Sequence, residues 1–297
     1  MMSKQQSDTA RLMRWATYAS VSTALILILV KIVAWFITDS VSVLATLLDS
    51  SLDVLASLVN LVAVHHALQP ADKEHRFGHG KAEALAGMGQ AMFIAGSAGF
   101  LLLQAVGRLI HPQEITSGLE VGVGVMIFSI VATLALLSFQ KYVIKQTNST
   151  AIKADALHYK TDLLVNASVI VALLLSFYGR GYFDALFGIG IAIFILYSAW
   201  EIVKESIDLL MDHELPDEER EKIRQFVINH PGTLGLHDLR TRRSGTRIFI
   251  QLHLELDSTL SLLAAHEIAD HVENELVKLF ADAEVLIHED PVILPVV

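Results

Sequence analysis

The chain begins as a succession of long apolar stretches, and only its last third alternates apolar and polar positions over short distances. A helix needs about 20 apolar residues to cross a bilayer. The pattern predicts six such spans, at Ala16–Ile37, Val41–His65, Ala82–Leu109, Leu119–Val143, Asp155–Tyr178 and Phe183–Val203. We therefore expect an all-α, six-helix transmembrane domain over residues 1–210.

The chain after residue 210 has the patterns of a small α+β domain. The acidic segment DHELPDEEREKIRQFVINHPG has helical spacing and ends at Pro-Gly. LHDLRTRRSGTRIFIQLHLEL indicates two strands around a Ser-Gly turn, LSLLAAHEIADHVENELVKLF an amphipathic helix, and AEVLIHEDPV a final strand. The predicted order is αββαβ over residues 211–297.

The distribution of charge predicts the orientation. Charged residues make up 18% of the chain, below the roughly 25% of soluble domains. Loops on the cytoplasmic side carry an excess of Lys and Arg. With six spans, one side of the membrane receives Lys4, Arg11, Arg14, Lys73, Arg76, Lys81, Lys141, Lys145 and Lys153. The other side receives only Arg108 and Arg180, so we expect both termini in the cytoplasm. No basic stripe indicates a nucleic-acid partner.

The sequence contains no cysteine. Any metal site must therefore use His, Asp and Glu, a ligand set that suits Zn, Fe, Mn or Co. An ATP-binding loop of the GxxxxGK[ST] type is also missing from the sequence. If the chain transports an ion, we expect an ion gradient to drive the transport.

Two pairs of candidate metal ligands lie inside predicted spans. Asp49 and Asp53, in TLLDSSLDVLAS, are four residues apart, as are His158 and Asp162 in ADALHYKTDLL. Residues with this spacing share a helix face. A carboxylate inside a membrane costs roughly 2.5–3.5 kcal/mol on insertion scales, which a bound cation would offset. Four N and O ligands suit a tetrahedral ion such as Zn²⁺; the alternative is interhelical hydrogen bonding.

Protons would compete with a metal for these four ligands. An unperturbed imidazole titrates near pH 6.5, so the lone pair that binds a metal also binds a proton at physiological pH. Such competition is the chemical requirement of a metal/proton antiporter. We expect His158 to be the main proton carrier.

Two further groups of candidate ligands lie outside the spans. Asp72, His75 and His79 are close together in the loop after the second span and could hold a metal, although loop histidines are often merely solvated. In the C-terminal domain, His288 and Asp290 share one face of the last strand. The full set expected there is His237, His253, His266, His288 and Asp290.

Taken together, these motifs resemble the cation diffusion facilitators, and among them the bacterial YiiP-type zinc exporters, also called ferrous-iron efflux pumps. The resemblance is carried by LLDSSLDVLAS, ALHYKTD and DKEHRFGHGKAEAL and covers nearly the whole chain. It implies a homodimer in the bacterial inner membrane that exchanges cytoplasmic Zn²⁺ for protons by alternating access. Cd²⁺ and Fe²⁺ remain open as further substrates.

The resemblance also implies roles for individual residues. The two intramembrane pairs resemble the transport site, the loop group a second site, and the C-terminal group a two-metal site in a metallochaperone-like dimerisation domain. Bound Zn²⁺ would tighten that dimer or regulate it. Lys81 and Asp212 resemble a charge pair of the dimer near the membrane surface, and Leu157 resembles a hydrophobic gate.

Two other functions compete with transport. The first is a membrane metal sensor that signals through its cytoplasmic domain; against it, a sensor needs no four-ligand site within the spans. The second is an intramembrane metalloenzyme, which would need a paired nucleophile and base that the sequence does not supply. We therefore expect no enzymatic activity.

Overall fold

A computed structural model describes residues 4–38, 41–110, 119–176, 182–280 and 283–293 of the chain. Six long helices occupy the described part of the first 210 residues. They are α1 (Lys4–Thr38), α2 (Val41–Ala67), α3 (Lys81–Ile110), α4 (Leu119–Thr147), α5 (Thr150–Ser176) and α6 (Tyr182–Leu210). The predicted all-α membrane domain is confirmed.

The helices extend beyond the apolar stretches that predicted them. α1 begins at Lys4 rather than Ala16, and α6 continues to Leu210, because a helix does not end where its sequence turns polar. Among the described residues, five helices are long and apolar enough to cross a membrane. The first half of α5 carries Lys153, Asp155, Lys160 and Asp162.

Small residues pack the helices of this domain closely. Ala91 and Ala98 of α3, Ala154 of α5 and Ala199 of α6 are buried in one apolar cluster. Small side chains let helix backbones approach, which drives association in membranes. Many large apolar side chains remain exposed instead, among them Phe36, Phe100, Leu103 and Val62. Exposed apolar side chains of this kind suit a surface that faces lipid.

The C-terminal domain has the predicted αββαβ order. Its elements are α7 (Asp217–Ile228), β1 (Gly235–Ser244), β2 (Arg247–Asp257), α8 (Leu262–Leu279) and β3 (Ala283–Val292). The sheet order is β1-β2-β3, with β1 antiparallel and β3 parallel to β2. Ile250, Leu252 and Leu254 of β2 pack with Val272 and Leu276 of α8 in its core.

The described chain forms two compact units. One contains Thr9–Gln69 and Ala82–Ile207, and the other contains Pro70–Lys81 together with the chain from Asp208 onward. The loop between α2 and α3 therefore packs with the C-terminal domain.

Candidate metal sites

Asp53 of α2 and His158 and Asp162 of α5 form a cluster inside the helical unit. The Nε2 atom of His158 lies 3.1 Å from Oδ1 of Asp53 and 3.9 Å from Oδ2 of Asp162. Asp53 is 8% exposed and His158 7% exposed. One ligand atom from each of the three residues lies within 4.8 Å of the others, so a single divalent ion could contact all three.

Asp49, the fourth predicted ligand, lies one turn before Asp53 on α2. Its side chain lies outside the described part of the structure. Asp49 therefore remains a prediction, and the described cluster offers three ligands of the four.

A hydrogen-bonded group of hydroxyls fixes α5 beside α1 and α2. The hydroxyls of Ser57 and Tyr159 are 2.8 Å apart, and the Tyr159 hydroxyl donates to the Ser20 carbonyl at 3.1 Å. The Tyr159 ring meets the adjacent His158 ring edge-on, with 5.6 Å between centroids. These bonds hold the α5 turn that carries His158 in place.

Asp155 is a buried carboxylate that the sequence analysis did not select. It is fully buried one turn before His158 on α5, and its two oxygens accept hydrogen bonds from Gln140 at 2.7 Å and Gln90 at 3.3 Å. A signal for it was available, because Asp155 and His158 are three residues apart and so share a helix face. Only the structure supplies the two glutamines that satisfy its oxygens.

Leu157, predicted as a gate, is 7% exposed and packs in the apolar cluster with Ile94 of α3 and Ile195 of α6. A bulky apolar side chain next to His158 could block the passage of hydrated ions. The gating role remains a prediction.

The loop group is also brought together. Asp72 lies 3.3 Å from Nε2 of His79 and 3.5 Å from Nδ1 of His75. The backbone N–H of His75, at 2.6 Å, and that of Glu74 both donate to Asp72 and hold the pKa of its carboxyl below the usual value. An ionised carboxylate with two imidazoles is a suitable shell for a divalent metal.

This loop packs on the strands of the C-terminal domain. The Phe77 ring meets Phe249 of β2 edge-on at 5.9 Å, and the Arg242 guanidinium lies over both rings. Gly80 approaches the Ser244 backbone so closely that a Cβ there would clash with the Ser244 carbonyl. The metal ligands of the loop are thus attached to the sheet.

Lys81 and Asp212, the predicted charge pair, contact each other within one chain. Their charged groups are 2.9 Å apart, and Arg242 also lies 3.1 Å from Asp212. Partial burial favours a higher pKa for Asp212, but the hydrogen bonds and positive charges of Lys81 and Arg242 prevail and lower it.

Three histidines form a row across the sheet. His237 of β1 pairs with His253 of β2, which pairs with His288 of β3. Asp290 lies 2.8 Å from His253 and 3.2 Å from His237, and its other oxygen lies 3.3 Å from His288. The hydrogen bond from His253 lowers the pKa of Asp290. One carboxylate therefore contacts three imidazoles, an arrangement suited to bridging metal ions.

The structure places His266 differently from the other predicted ligands of this group. It lies in the second turn of α8, with Nδ1 3.7 Å from Glu289 and Nε2 3.8 Å from Asp270. The described group whose ligand atoms lie together contains His237, His253 and Asp290. The sequence could not place His266, because the packing of α8 on the sheet decides which way this side chain points.

Comparison with known proteins agrees with both units. Residues 17–211 match the cation efflux transmembrane domain, and residues 215–292 match the cytoplasmic domain of cation efflux proteins. The cation-efflux pump FieF of Pectobacterium atrosepticum is 50% identical over 283 residues, which are 95% of this chain and 94% of that protein. FieF of Klebsiella pneumoniae is 50% identical over 281 residues, 95% of this chain and 93% of that protein. A solved chain of the transporter CzrB in its Zn form is 37% identical, covers 27% of this chain and 92% of that chain, and has a TM-score of 0.25.

Proposed function

The chain belongs to the cation diffusion facilitators, as a multi-pass membrane protein of the YiiP type with a cytoplasmic dimerisation domain, and on that premise we propose that it exports divalent transition-metal ions, chiefly Zn²⁺, in exchange for protons. The observation that carries the proposal is the buried cluster of Asp53, His158 and Asp162. Asp49 would complete it as a fourth ligand. Cd²⁺ and Fe²⁺ are the further candidate substrates.

The residues of the cluster suit both ions of the exchange. Oxygen and imidazole ligands bind Zn²⁺ without thiolates, and the same lone pairs accept protons once the metal leaves. With His158 only 3.1 Å from Asp53, a proton on the imidazole would neutralise part of the charge that the metal had balanced. Alternating access would expose this cluster first to the cytoplasm and then to the opposite side, with Leu157 as part of the barrier.

The two other clusters would serve the assembled transporter. We propose a membrane domain over residues 1–210 and a dimerisation domain over residues 211–297, in a homodimer of the bacterial inner membrane with both termini cytoplasmic. The row of His237, His253 and His288 with Asp290 would hold structural or regulatory Zn²⁺, and Asp72, His75 and His79 a separate ion. The Lys81–Asp212 pair would secure the region next to the membrane.

Zn²⁺ flux in proteoliposomes under an imposed pH gradient tests the transport function. The wild-type chain should move Zn²⁺ in response to the gradient, and Asp53→Ala should abolish this flux. Ser51→Ala is the matched control, because Ser51 lies on the same helix with an exposed side chain and should transport normally. Metal binding without flux in the wild type would favour a metal sensor instead.

A further inference from the structure

We propose that His230 and His271, with Glu275 as a carboxylate ligand, form an additional binding site for a borderline divalent cation such as Zn²⁺ on the C-terminal domain. His230 follows the end of α7, while His271 and Glu275 lie one turn apart on α8. These residues are separate from the three clusters described above. The inference stands independently of the proposed transport function, because it concerns binding alone.

The nitrogen atoms that would bind a metal face each other across the two imidazole rings. Nε2 of His230 and Nδ1 of His271 are 2.8 Å apart, and the ring centroids are 5.1 Å apart at a tilt of 48°. Two nitrogens bound to one tetrahedral Zn²⁺ at 2.0–2.1 Å would be about 3.4 Å apart. A small separation of the two rings would therefore admit the ion.

His230 can present only one nitrogen to a ligand. Its Nδ1 atom is buried and, among the described residues, has no hydrogen-bond partner. The remaining nitrogen, Nε2, is the one that faces His271. His271 is exposed, so an ion could reach the pair from solvent.

The backbone around His230 is fixed before any ion binds. The Thr233 hydroxyl lies 2.8 Å from the carbonyl of Val227 and 2.9 Å from that of His230, and its one proton is shared between them. Gly232 has a φ of +91° and packs against Ile268 of α8, where a Cβ would lie 3.0 Å from the Ile268 Cδ1 atom. This close contact holds the loop after α7 against the turn of α8 that precedes His271.

Glu275 is the third ligand of the proposed site; its carboxylate would have to turn toward the imidazoles, because it is not among the described groups whose ligand atoms already lie together. It follows His271 by four residues on α8 and therefore shares its face. Its hydrogen bond with Lys278 is the main cause that lowers the pKa of its carboxyl. The Lys278–Glu275 ion pair is largely exposed on the lysine side, and such pairs are weak enough for a metal to displace. Water would complete the coordination, as at other sites with three protein ligands.

The site can be tested in the wild-type full-length chain by chemical protection. The protein in detergent is treated with diethylpyrocarbonate, which modifies accessible imidazoles, with and without Zn²⁺, and modified peptides are quantified by mass spectrometry. We expect Zn²⁺ to protect His271 while His213, an exposed histidine whose Nδ1 contacts the Glu214 carbonyl, stays reactive. Equal modification of His271 with and without Zn²⁺ would overturn the proposal.

Metal stoichiometry gives a second and independent test. Calorimetric titration with Zn²⁺ should show the His230→Gln/His271→Gln double variant binding about one ion fewer per chain than the wild type. His213→Gln should bind as many ions as the wild type. An unchanged stoichiometry in a double variant that retains its circular dichroism would refute the site.

Discussion

At the scale of single residues, His158 is where metal binding and proton transfer would meet. Its Nε2 atom lies within reach of Asp53 and Asp162, and that lone pair can bind either a metal ion or a proton. Buried charges of this kind are costly in a membrane and generally functional. The structure surrounds His158 with hydrogen bonds that fix Tyr159 and Asp155, so its position is set by its neighbours on α5.

Replacing His158 should make Zn²⁺ transport less dependent on pH. We expect His158→Ala to reduce Zn²⁺ flux and to flatten the dependence of the remaining flux on pH, because the proposed proton carrier is lost. The measurement is initial Zn²⁺ flux in proteoliposomes between pH 5.5 and 8, roughly the range in which histidine titrates. A variant whose flux keeps the wild-type pH profile would show that another group carries the proton.

The lowered pKa of Asp212 implies that the stability of the fold also depends on pH. The folded-state pKa of Asp212 lies below the usual aspartate value of 3.8, so its ion pairs stabilise the fold above that pH. This stabilisation is lost as the pH falls through the lower, folded-state pKa. Asp212→Asn should therefore lower the melting temperature at neutral pH but have a diminishing effect as the pH falls below 3.8. A difference from the wild type that persists undiminished into strong acid would contradict this assignment.

At the scale of elements, the hydrophobic pattern was sufficient to predict the kind and order of the helices and strands in the described part of the chain. Long apolar runs gave α1 to α6, and the alternation in RIFIQLHLEL gave β2. Helix ends were less predictable, because α1 and α6 continue through polar residues. The pattern also cannot reveal contacts between elements distant in sequence, such as the packing of the α2–α3 loop on the sheet.

The packing of the α2–α3 loop on the sheet depends on Gly80, which approaches the Ser244 backbone closely. Gly80→Ala should push the loop away from Ser244 and destabilise the contact by about 1–3 kcal/mol, the usual effect of overpacking. Tryptic cleavage of the full-length protein at Lys73 and Arg76 should then become faster. Gly89→Ala is the control, because a Cβ at Gly89 meets nothing within 4 Å. Equal cleavage rates in both variants would show that the contact does not restrain the loop.

At the scale of the whole molecule, the chain combines a helical membrane unit with a domain that carries its own metal ligands. The sequence predicted the candidate ligands in all three clusters, because His, Asp and Glu are conspicuous within apolar or alternating patterns. It could not predict that His266 lies beside Glu289 or that His230 faces His271. Those positions depend on how α7 and α8 pack against their surroundings, which periodicity does not determine.

If the cytoplasmic cluster binds Zn²⁺, the stability of the dimer should depend on Zn²⁺. We expect His237→Ala to weaken Zn²⁺-dependent stabilisation of the dimer, because it removes one of the imidazoles that contact Asp290. Light scattering of the full-length protein at decreasing concentration, with and without Zn²⁺, measures this response. The intramembrane cluster should stay intact, because His237 does not belong to it. The metal content of the variant is compared with that of the wild type and of His213→Ala. Full metal binding and an unchanged dimer in His237→Ala would refute the role of this cluster.

The most direct test of the central proposal is to record metal and proton movement in the same proteoliposomes. With one dye for Zn²⁺ and another for pH in the lumen, a Zn²⁺ gradient imposed without a pH gradient should drive protons in the opposite direction through the wild-type chain. Neither ion should move through Asp53→Ala. Zn²⁺ movement through the wild type without any counter-movement of protons would contradict antiport through the cluster of Asp53, His158 and Asp162.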